Sequence, residues 1–244
     1  MSKITSGQKA MRRVLANIIS GLIPGRRNRH YVRARLKTPI HKYIRFVKKF
    51  SDLRHPKVRK VFGYRCANFV VILDNKYVFK FPIRNDGRVV SEREKRITDA
   101  LRPISPIKIP KMEIFDCDGV VVRRYEYIAG VGYHVLDEQT QMKYADKIAK
   151  QIAKFLYVTG GADPVEIRDL KTVRSERARV MHGWNICDLW ENIILDPKTM
   201  DVRAVIDWEG AKFCDFHRLF TQGRRNTICQ TPLLREYLKY YIKK

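Results

Sequence analysis

The sequence contains no apolar run of the roughly 18–20 residues that a membrane-spanning helix needs, so we do not expect an integral membrane protein. It also lacks CxxC spacing, because its five cysteines are odd in number and scattered over 244 residues. This argues against a disulfide scaffold or a zinc site and favours a reducing compartment. No small-residue cleavage site follows the first apolar stretch, so we expect a cytoplasmic protein without a secretory signal.

Acidic residues are absent from the first 50 positions, which hold 14 of the 50 lysines and arginines. The remaining residues carry all 25 acidic side chains, and the whole chain has a formal charge of +25. More than half of that charge therefore lies in about a fifth of the chain. Such a segment predicts an anionic partner.

The same basic segment contains aliphatic side chains at helical spacing from Met11 to Ile23, ended by Pro24-Gly25. Three interpretations are open for residues 1–50. The segment could bind an anionic membrane surface, follow a nucleic-acid backbone with Tyr31 and Tyr43 as stacking platforms, or pack as basic helices on the main domain. We favour the membrane, because large aliphatic side chains gain from lipid and not from nucleic acid.

After Pro56 the apolar pattern changes to a period of two. The segments KVRKVFGY, NFVVILD and KYVFKFP predict three strands, with a hairpin turn at Asp74-Asn75. A charged helix is predicted in SEREKRITDAL, followed by two strands in MEIFDCDGVVVRRYEYIAG. From about Asp137 the pattern becomes mainly helical.

This order of elements resembles the protein-kinase-like fold, in the branch of the aminoglycoside phosphotransferases and lipopolysaccharide kinases. The resemblance covers roughly residues 57–221 and depends on the order of several short motifs. It implies an α+β, two-lobed fold with an antiparallel-sheet N-lobe (57–130) and a mainly helical C-lobe (131–244). A basic helical extension (1–56) would precede the two lobes.

The resemblance implies a nucleotide site in the first lobe. Lys80, in VFKFP, would bind the nucleotide phosphates and pair with Glu94, with Glu92 as the alternative partner. The loop Gly63–Asn68 would cover the phosphates, although it has one glycine where a full Gly-rich loop has three.

The segment RRYEYIAG resembles the hinge of such enzymes. Backbone groups of Glu126, Tyr127 and Ile128 would then face adenine, and Gly130 would permit the turn that follows. An ordinary strand end is the alternative interpretation.

The segment AVIDWEGAKFCDF resembles the metal-binding segment of aminoglycoside-type phosphotransferases. A buried strand would deliver Asp207 at its end, where its carboxylate can bind Mg²⁺. Asp215 would brace the catalytic loop. A helix-capping role is the alternative for Asp207.

The catalytic loop departs from the family pattern of His-x-Asp followed by Asn five residues later. Counting from His182 puts a tryptophan and a leucine at the two functional positions, and neither can act there. Counting back from Asn192, which precedes an Ile-Ile-Leu strand, puts Cys187 at the base position with Asp188 next to it. We favour a shortened loop with Asp188 as base, Asn192 as metal ligand and a structural His182.

Together these residues imply an ATP- and Mg²⁺-dependent kinase that phosphorylates a hydroxyl group. The basic amphipathic front end suggests a cell-envelope glycolipid, such as a lipopolysaccharide sugar, at the inner face of the cytoplasmic membrane. The alternatives are a catalytically silent kinase-fold binding module, a small-molecule kinase and a protein kinase. Nucleic-acid binding is disfavoured because it gives no role to Lys80 or Asp207.

Overall fold

The computed structural model describes residues 6–25, 29, 40–63, 68–82, 86–117, 119–162, 164–171, 182–215, 228 and 230–242. The chain divides into two compact units. The first comprises residues 1–87 and 114–124, and the second comprises residues 88–113 and 125–244. The sequence-based boundaries at residues 56 and 130 stay a prediction.

A five-stranded sheet with the order β1-β2-β3-β5-β4 belongs mainly to the first unit, and the residues of its strands at positions 112, 113, 125 and 126 are assigned to the second. The strands are β1 (Val58–Phe62), β2 (Asn68–Leu73), β3 (Tyr77–Pro82), β4 (Met112–Cys117) and β5 (Val120–Glu126). Strand β2 pairs antiparallel with β1 and with β3. The five predicted strands are therefore all present.

The predicted hairpin turn joins β2 to β3. Asp74 and Asn75 both have positive φ, 49° and 53°, and the Lys76 N–H donates to the Leu73 carbonyl over 2.9 Å. Two central residues with positive φ define the type I′ turn, whose twist matches that of the flanking strands. Asp and Asn are among the non-glycine residues that adopt this conformation most easily, which is why the sequence predicted the turn.

Among the described residues before the sheet are helices α1 (Ser6–Gly21) and α2 (Ile40–Lys49). Helix α2 packs on the sheet, with Phe46 and Val47 buried and the Tyr43 ring stacked on Phe81 at a centroid distance of 4.2 Å. The apolar side of α2 is therefore buried in protein and is not available to lipid. One face of the Tyr43 ring is likewise covered by Phe81, and Tyr31 lies outside the described residues.

The second unit contains helices α3 (Gly87–Leu101, whose first residue belongs to the first unit), α4 (Glu138–Gly161) and α5 (Gln230–Ile242). Helix α4 is capped at its N-terminus by Asp137, whose side chain accepts hydrogen bonds from the Thr140 N–H and hydroxyl, both at 2.8 Å. These bonds hold the pKa of Asp137 below its ordinary value. Helix α5 packs along α4, with the Tyr157 and Tyr240 rings stacked at 4.8 Å.

The described part of the second unit also contains two small sheets. One joins β6 (Val131–Gly132), β8 (Ile193–Leu195) and β9 (Val202–Val205), and the other pairs β7 (His182–Asn185) with β10 (Lys212–Asp215). Large side chains that are fully buried anchor these elements in one core: Tyr133, Phe155, Trp184, Trp208 and Tyr237. No helix within the described ranges is long and apolar enough to cross a membrane.

Candidate active site

The β8–β9 hairpin brings together the two residues predicted to bind metal. Ile193 pairs with Val205, and beyond this pair the Ile206 N–H donates to the Asn192 carbonyl over 3.0 Å. Asn192 precedes β8 and Asp207 follows β9 by two residues. Both therefore lie at the same end of the hairpin, away from its turn.

The side chain of Asn192 has a fixed orientation. Its Nδ2 donates to the Cys187 carbonyl over 2.9 Å. The amide nitrogen makes this bond, so Oδ1 is the atom of Asn192 that could bind a metal. An amide oxygen beside a carboxylate is a donor set that suits Mg²⁺, which binds few protein oxygens and completes its shell with water and phosphates.

Asp207 has a left-handed backbone, with φ at +60°, and its side chain is half-buried. That conformation costs roughly 1–2 kcal/mol for most residues, although Asp tolerates it better. The next residue fixes it, because the Trp208 indole is buried and donates to the Val205 carbonyl over 3.1 Å. Backbone strain held in this way is typical of functional sites.

Glu94 on α3 contacts the same turn. It is only 1% exposed, and its Oε1 accepts a hydrogen bond of 3.2 Å from the Trp208 N–H. Glu92 is exposed, with a carboxylate oxygen 3.9 Å from Arg88 Nη1, so Glu94 is the better candidate of the two. Lys80 lies half-buried on β3 in the first unit, paired in register with Val70, and its pairing with Glu94 stays a prediction.

The predicted base, Asp188, also has a left-handed backbone, with φ at +54°. Its side chain is exposed and caps no backbone N–H of the 3₁₀ turn Leu189–Glu191 that follows. Cys187, five residues before Asn192, is exposed too, but its thiol donates to the Gly210 carbonyl over 3.2 Å. Within the described ranges, the Asp188 side chain makes no bond like the one that joins Cys187 to Gly210.

His182 and Asp215 face each other as backbone partners in the β7–β10 pair. Their side chains lie outside the described residues, so the bracing role of Asp215 and the structural role of His182 stay predictions. Groups of three or more His, Cys, Asp or Glu side chains that could hold a metal by themselves are absent from the described part of the chain.

The predicted hinge lies between β5 and β6. The Glu126 carboxylate is 2.8 Å from Lys108 Nζ, and Arg203 Nη1 donates to the Ala129 carbonyl over 2.8 Å. Tyr127 and Ile128 are half-buried. These contacts fix the course of the segment, while adenine binding by it stays a prediction.

Gly63 and Gly130, the two glycines named from the sequence, are required by different features of the structure. Gly63 has φ at +91°, and a Cβ on it would lie 2.2 Å from the Asn68 carbonyl oxygen. Gly130 lacks the positive φ expected for a turn, but a Cβ there would lie 2.5 Å from both the Leu195 carbonyl oxygen and Ile194 Cγ2. Close approach to β8, and not turn geometry, requires glycine at position 130. The rest of the predicted phosphate-covering loop, residues 64–67, lies outside the described residues.

The turn of the β8–β9 hairpin is held by Asp196, which the sequence did not single out. Its Oδ1 accepts from the Lys198 and Thr199 N–H groups at 2.8 and 3.0 Å, and its Oδ2 accepts from Arg203 Nε at 3.0 Å. The two backbone bonds, with Arg203, lower the pKa of Asp196 from 3.8 to about 2. This residue therefore supports the hairpin that carries Asn192 and Asp207.

We expect the Asp196→Asn variant to be less stable than the parent at neutral pH, since it loses the charge that these groups stabilise. A lowered folded-state pKa gives stability that is present above about pH 3.8 and is lost as the pH falls towards 2. The difference in urea midpoint between parent and variant should therefore shrink between pH 5 and pH 2.5. Asp146→Asn, which removes an exposed carboxylate 2.8 Å from Arg235, is the control. A pH-independent difference would contradict the assignment.

The structure is similar to solved phosphotransferases over about four-fifths of the chain. The GDP complex of wild-type aminoglycoside 2'-phosphotransferase-IIIa matches with a TM-score of 0.63 and 15% identity, covering 81% of this chain and 82% of that one. ADP-bound aminoglycoside phosphotransferase APH(2'')-Ib matches with a TM-score of 0.60 and 14% identity, covering 82% of each chain.

A macrolide 2'-phosphotransferase from Brachybacterium faecium, in its apoenzyme form, is similar over a shorter region. It matches with a TM-score of 0.51 and 14% identity, covering 74% of this chain and 76% of that one. No protein-family model and no curated protein matches the sequence. The structural likeness confirms the predicted fold: the chain has the protein-kinase-like fold of the aminoglycoside phosphotransferases.

Proposed function

We propose that this chain is a Mg²⁺- and ATP-dependent phosphotransferase that phosphorylates a hydroxyl group. The observation that carries the proposal is the pair Asn192 and Asp207 at one end of the β8–β9 hairpin, with Asp207 held in a left-handed backbone. The fold supports it, because proteins with this fold were solved with GDP and with ADP bound.

Each proposed residue has one task in this reaction. Asp207 and Asn192 would hold the metal through a carboxylate and an amide oxygen, and Lys80 would bind the nucleotide phosphates. Asp188, exposed beside this site, would accept a hydrogen bond from the acceptor hydroxyl and orient it. When bound, Mg²⁺ neutralises the charge that develops on the transferred phosphoryl group, so the protein mainly has to position the reactants.

For the acceptor we propose a glycolipid presented at an anionic membrane surface. The support is helix α1 and the residue that follows it. Five large aliphatic side chains of the helix are between 42% and 63% exposed, Met11, Val14, Leu15, Ile18 and Ile19, and Leu22 just after the helix is 80% exposed. Ala16 and Ser20 of the same helix are buried. At 100° per residue these two lie roughly opposite the aliphatic face, so the helix is anchored by its small side chains and presents its apolar side outward.

Charge complementarity favours lipid as the partner of this face. Residues 1–50 carry no acidic side chain, and an amphipathic helix with basic flanks gains from both acyl chains and anionic headgroups. Because the apolar side of α2 is buried, α1 is the part of the segment to which this proposal applies. The proposed location of the protein is therefore the inner face of the cytoplasmic membrane.

We expect a variant with Leu15, Ile18 and Leu22 changed to Gln to bind phosphatidylglycerol vesicles about 100-fold more weakly than the parent. Three large aliphatic side chains contribute about 3 kcal/mol to the binding free energy when they are partly buried in the membrane. Vesicle sedimentation measures the affinity, and Gln at the exposed positions Val135, Met142 and Val165 is the matched control. Equal binding by parent, variant and control would contradict the membrane role of α1.

Phosphate transfer from radiolabelled ATP, with and without Mg²⁺, tests the proposed activity. Two acceptor panels are compared, one of lipopolysaccharide-type glycolipids in vesicles and one of soluble aminoglycosides and macrolides. Mg²⁺-dependent labelling of the glycolipids supports the full proposal, whereas labelling of the soluble compounds alone retains the phosphotransferase and rejects the lipid acceptor. Absence of transfer to either panel contradicts the activity.

A catalytically silent binding module is the second candidate. The observation in its favour is the thiol of Cys187 at the position five residues before Asn192, where the resemblance calls for a carboxylate. A silent module binds nucleotide without transferring phosphate to either panel. The two candidates therefore differ in turnover and not in nucleotide affinity.

A further inference from the structure

The backbone turn that follows Asp207 is bonded to side chains from two other parts of the second unit. From α3, Glu94 accepts from the Trp208 N–H, and the neighbouring residue Arg93 donates through Nη2 to the Ala211 carbonyl over 2.6 Å. From the loop before Asn192, the Cys187 thiol donates to the Gly210 carbonyl over 3.2 Å. Side chains from elsewhere in the second unit therefore bond at least three of the four residues after Asp207.

Arg93 is suited to this structural bond. Its side chain is half-buried, and burial lowers the pKa of its guanidinium below the ordinary value. Within the described ranges no carboxylate forms an ion pair with it, in contrast to Arg96 on the same helix, whose Nη2 lies 2.7 Å from the Asp169 carboxylate. A guanidinium withdrawn from water gains most from a fixed acceptor, and the Ala211 carbonyl is that acceptor.

Cys187 joins the turn to the second metal-binding candidate. Its thiol bonds Gly210 while its carbonyl accepts from Asn192 Nδ2 over 2.9 Å. The contact is close, because a Cβ on Gly210 would lie 2.8 Å from the Cys187 sulfur. One residue therefore links the Asn192 side chain to the turn that carries Asp207.

We propose that Cys187 and Arg93 are positioning residues that hold the Asp207 turn in its metal-binding geometry. Both act through the backbone of residues 210 and 211, and neither needs to touch nucleotide or acceptor. We call the bonds from Cys187 to Gly210 and from Arg93 to Ala211 the clamp. The expected effect on metal binding depends on the proposed function, whereas the clamp itself does not.

Hydrogen–deuterium exchange of the peptide that covers residues 207–211 tests the clamp without any ligand. We expect this peptide to exchange about 10-fold faster in Cys187→Ala and in Arg93→Gln than in the parent. Cys187→Ser, whose hydroxyl can still donate, should stay within about 3-fold of the parent. Cys214→Ser and Arg88→Gln are the matched controls and should leave the exchange unchanged. Unchanged exchange in both Cys187→Ala and Arg93→Gln would overturn the clamp.

The Mg²⁺ dependence of ATP-analogue binding tests the positioning role. In Cys187→Ala and Arg93→Gln we expect the half-saturating Mg²⁺ concentration to rise about 10-fold, with little change in binding measured without Mg²⁺. Faster exchange with an unchanged Mg²⁺ requirement would overturn the positioning role. A parent that binds no nucleotide overturns the proposed function and that role with it, while the exchange rates still decide the clamp.

Discussion

Replacing Asp207 by Asn is expected to lower Mg²⁺-dependent phosphate transfer at least about 1,000-fold. The negative charge of the Asp207 carboxylate is what holds the metal, and Asn lacks that charge. A loss of about 4 kcal/mol in transition-state stabilisation corresponds to this factor. Asn has the same shape and also tolerates the left-handed backbone found at this position, so the turn should keep its conformation.

Initial rates of phosphate transfer from ATP at saturating Mg²⁺ measure this effect. Asp201→Asn is the matched control, because Asp201 lies at the other end of the same hairpin and its carboxylate is 2.9 Å from Lys147 Nζ. The control should keep the parent rate. A rate above one tenth of the parent's in Asp207→Asn would show that Asp207 is not a metal ligand.

The second large effect concerns stability. Gly130→Ala is expected to destabilise the protein by about 3 kcal/mol, because the new methyl group would meet the Leu195 carbonyl oxygen and Ile194 Cγ2 at 2.5 Å. The β6–β8 pairing of Val131 with Leu195 would have to open to make room. For a chain of this size the loss corresponds to a fall in Tm of about 6–12 °C.

Thermal unfolding followed by circular dichroism measures this loss. Gly161→Ala is the matched control, since Gly161 ends α4 with no atom within 4 Å of a built Cβ and without a positive φ. It should melt within a degree or two of the parent. Equal melting of the two variants would contradict the close packing at Gly130.

Local patterns in the sequence predicted the parts of the fold that are determined locally. Asp74-Asn75 specified a type I′ hairpin because both residues tolerate positive φ. The apolar runs before Asp207 and after Asn192 predicted two strands, and their antiparallel pairing brings both residues to one end. Short-range rules of backbone geometry and alternation are sufficient for such features.

Features that depend on distant partners could not be predicted in this way. From the sequence alone, the apolar face of α2 is equally compatible with contact to lipid or to protein. Only the fold shows that Phe46 and Val47 are buried against the sheet. The bond from Glu94 to the Trp208 N–H joins residues 114 positions apart. The Cys187 thiol was noted only as an irregularity of the loop, because its bond to Gly210 exists only once the two loops are folded together.

In the proposed function, Asp207 and Asn192 form a metal-nucleotide site. Isothermal titration of the full chain with a non-hydrolysable ATP analogue, with Mg²⁺ and then with excess chelator, tests this claim most directly. We predict binding that is at least about 10-fold tighter with Mg²⁺, and the loss of that difference in Asp207→Asn. Equal affinity with and without Mg²⁺ in the parent, or no binding at all, would contradict the account.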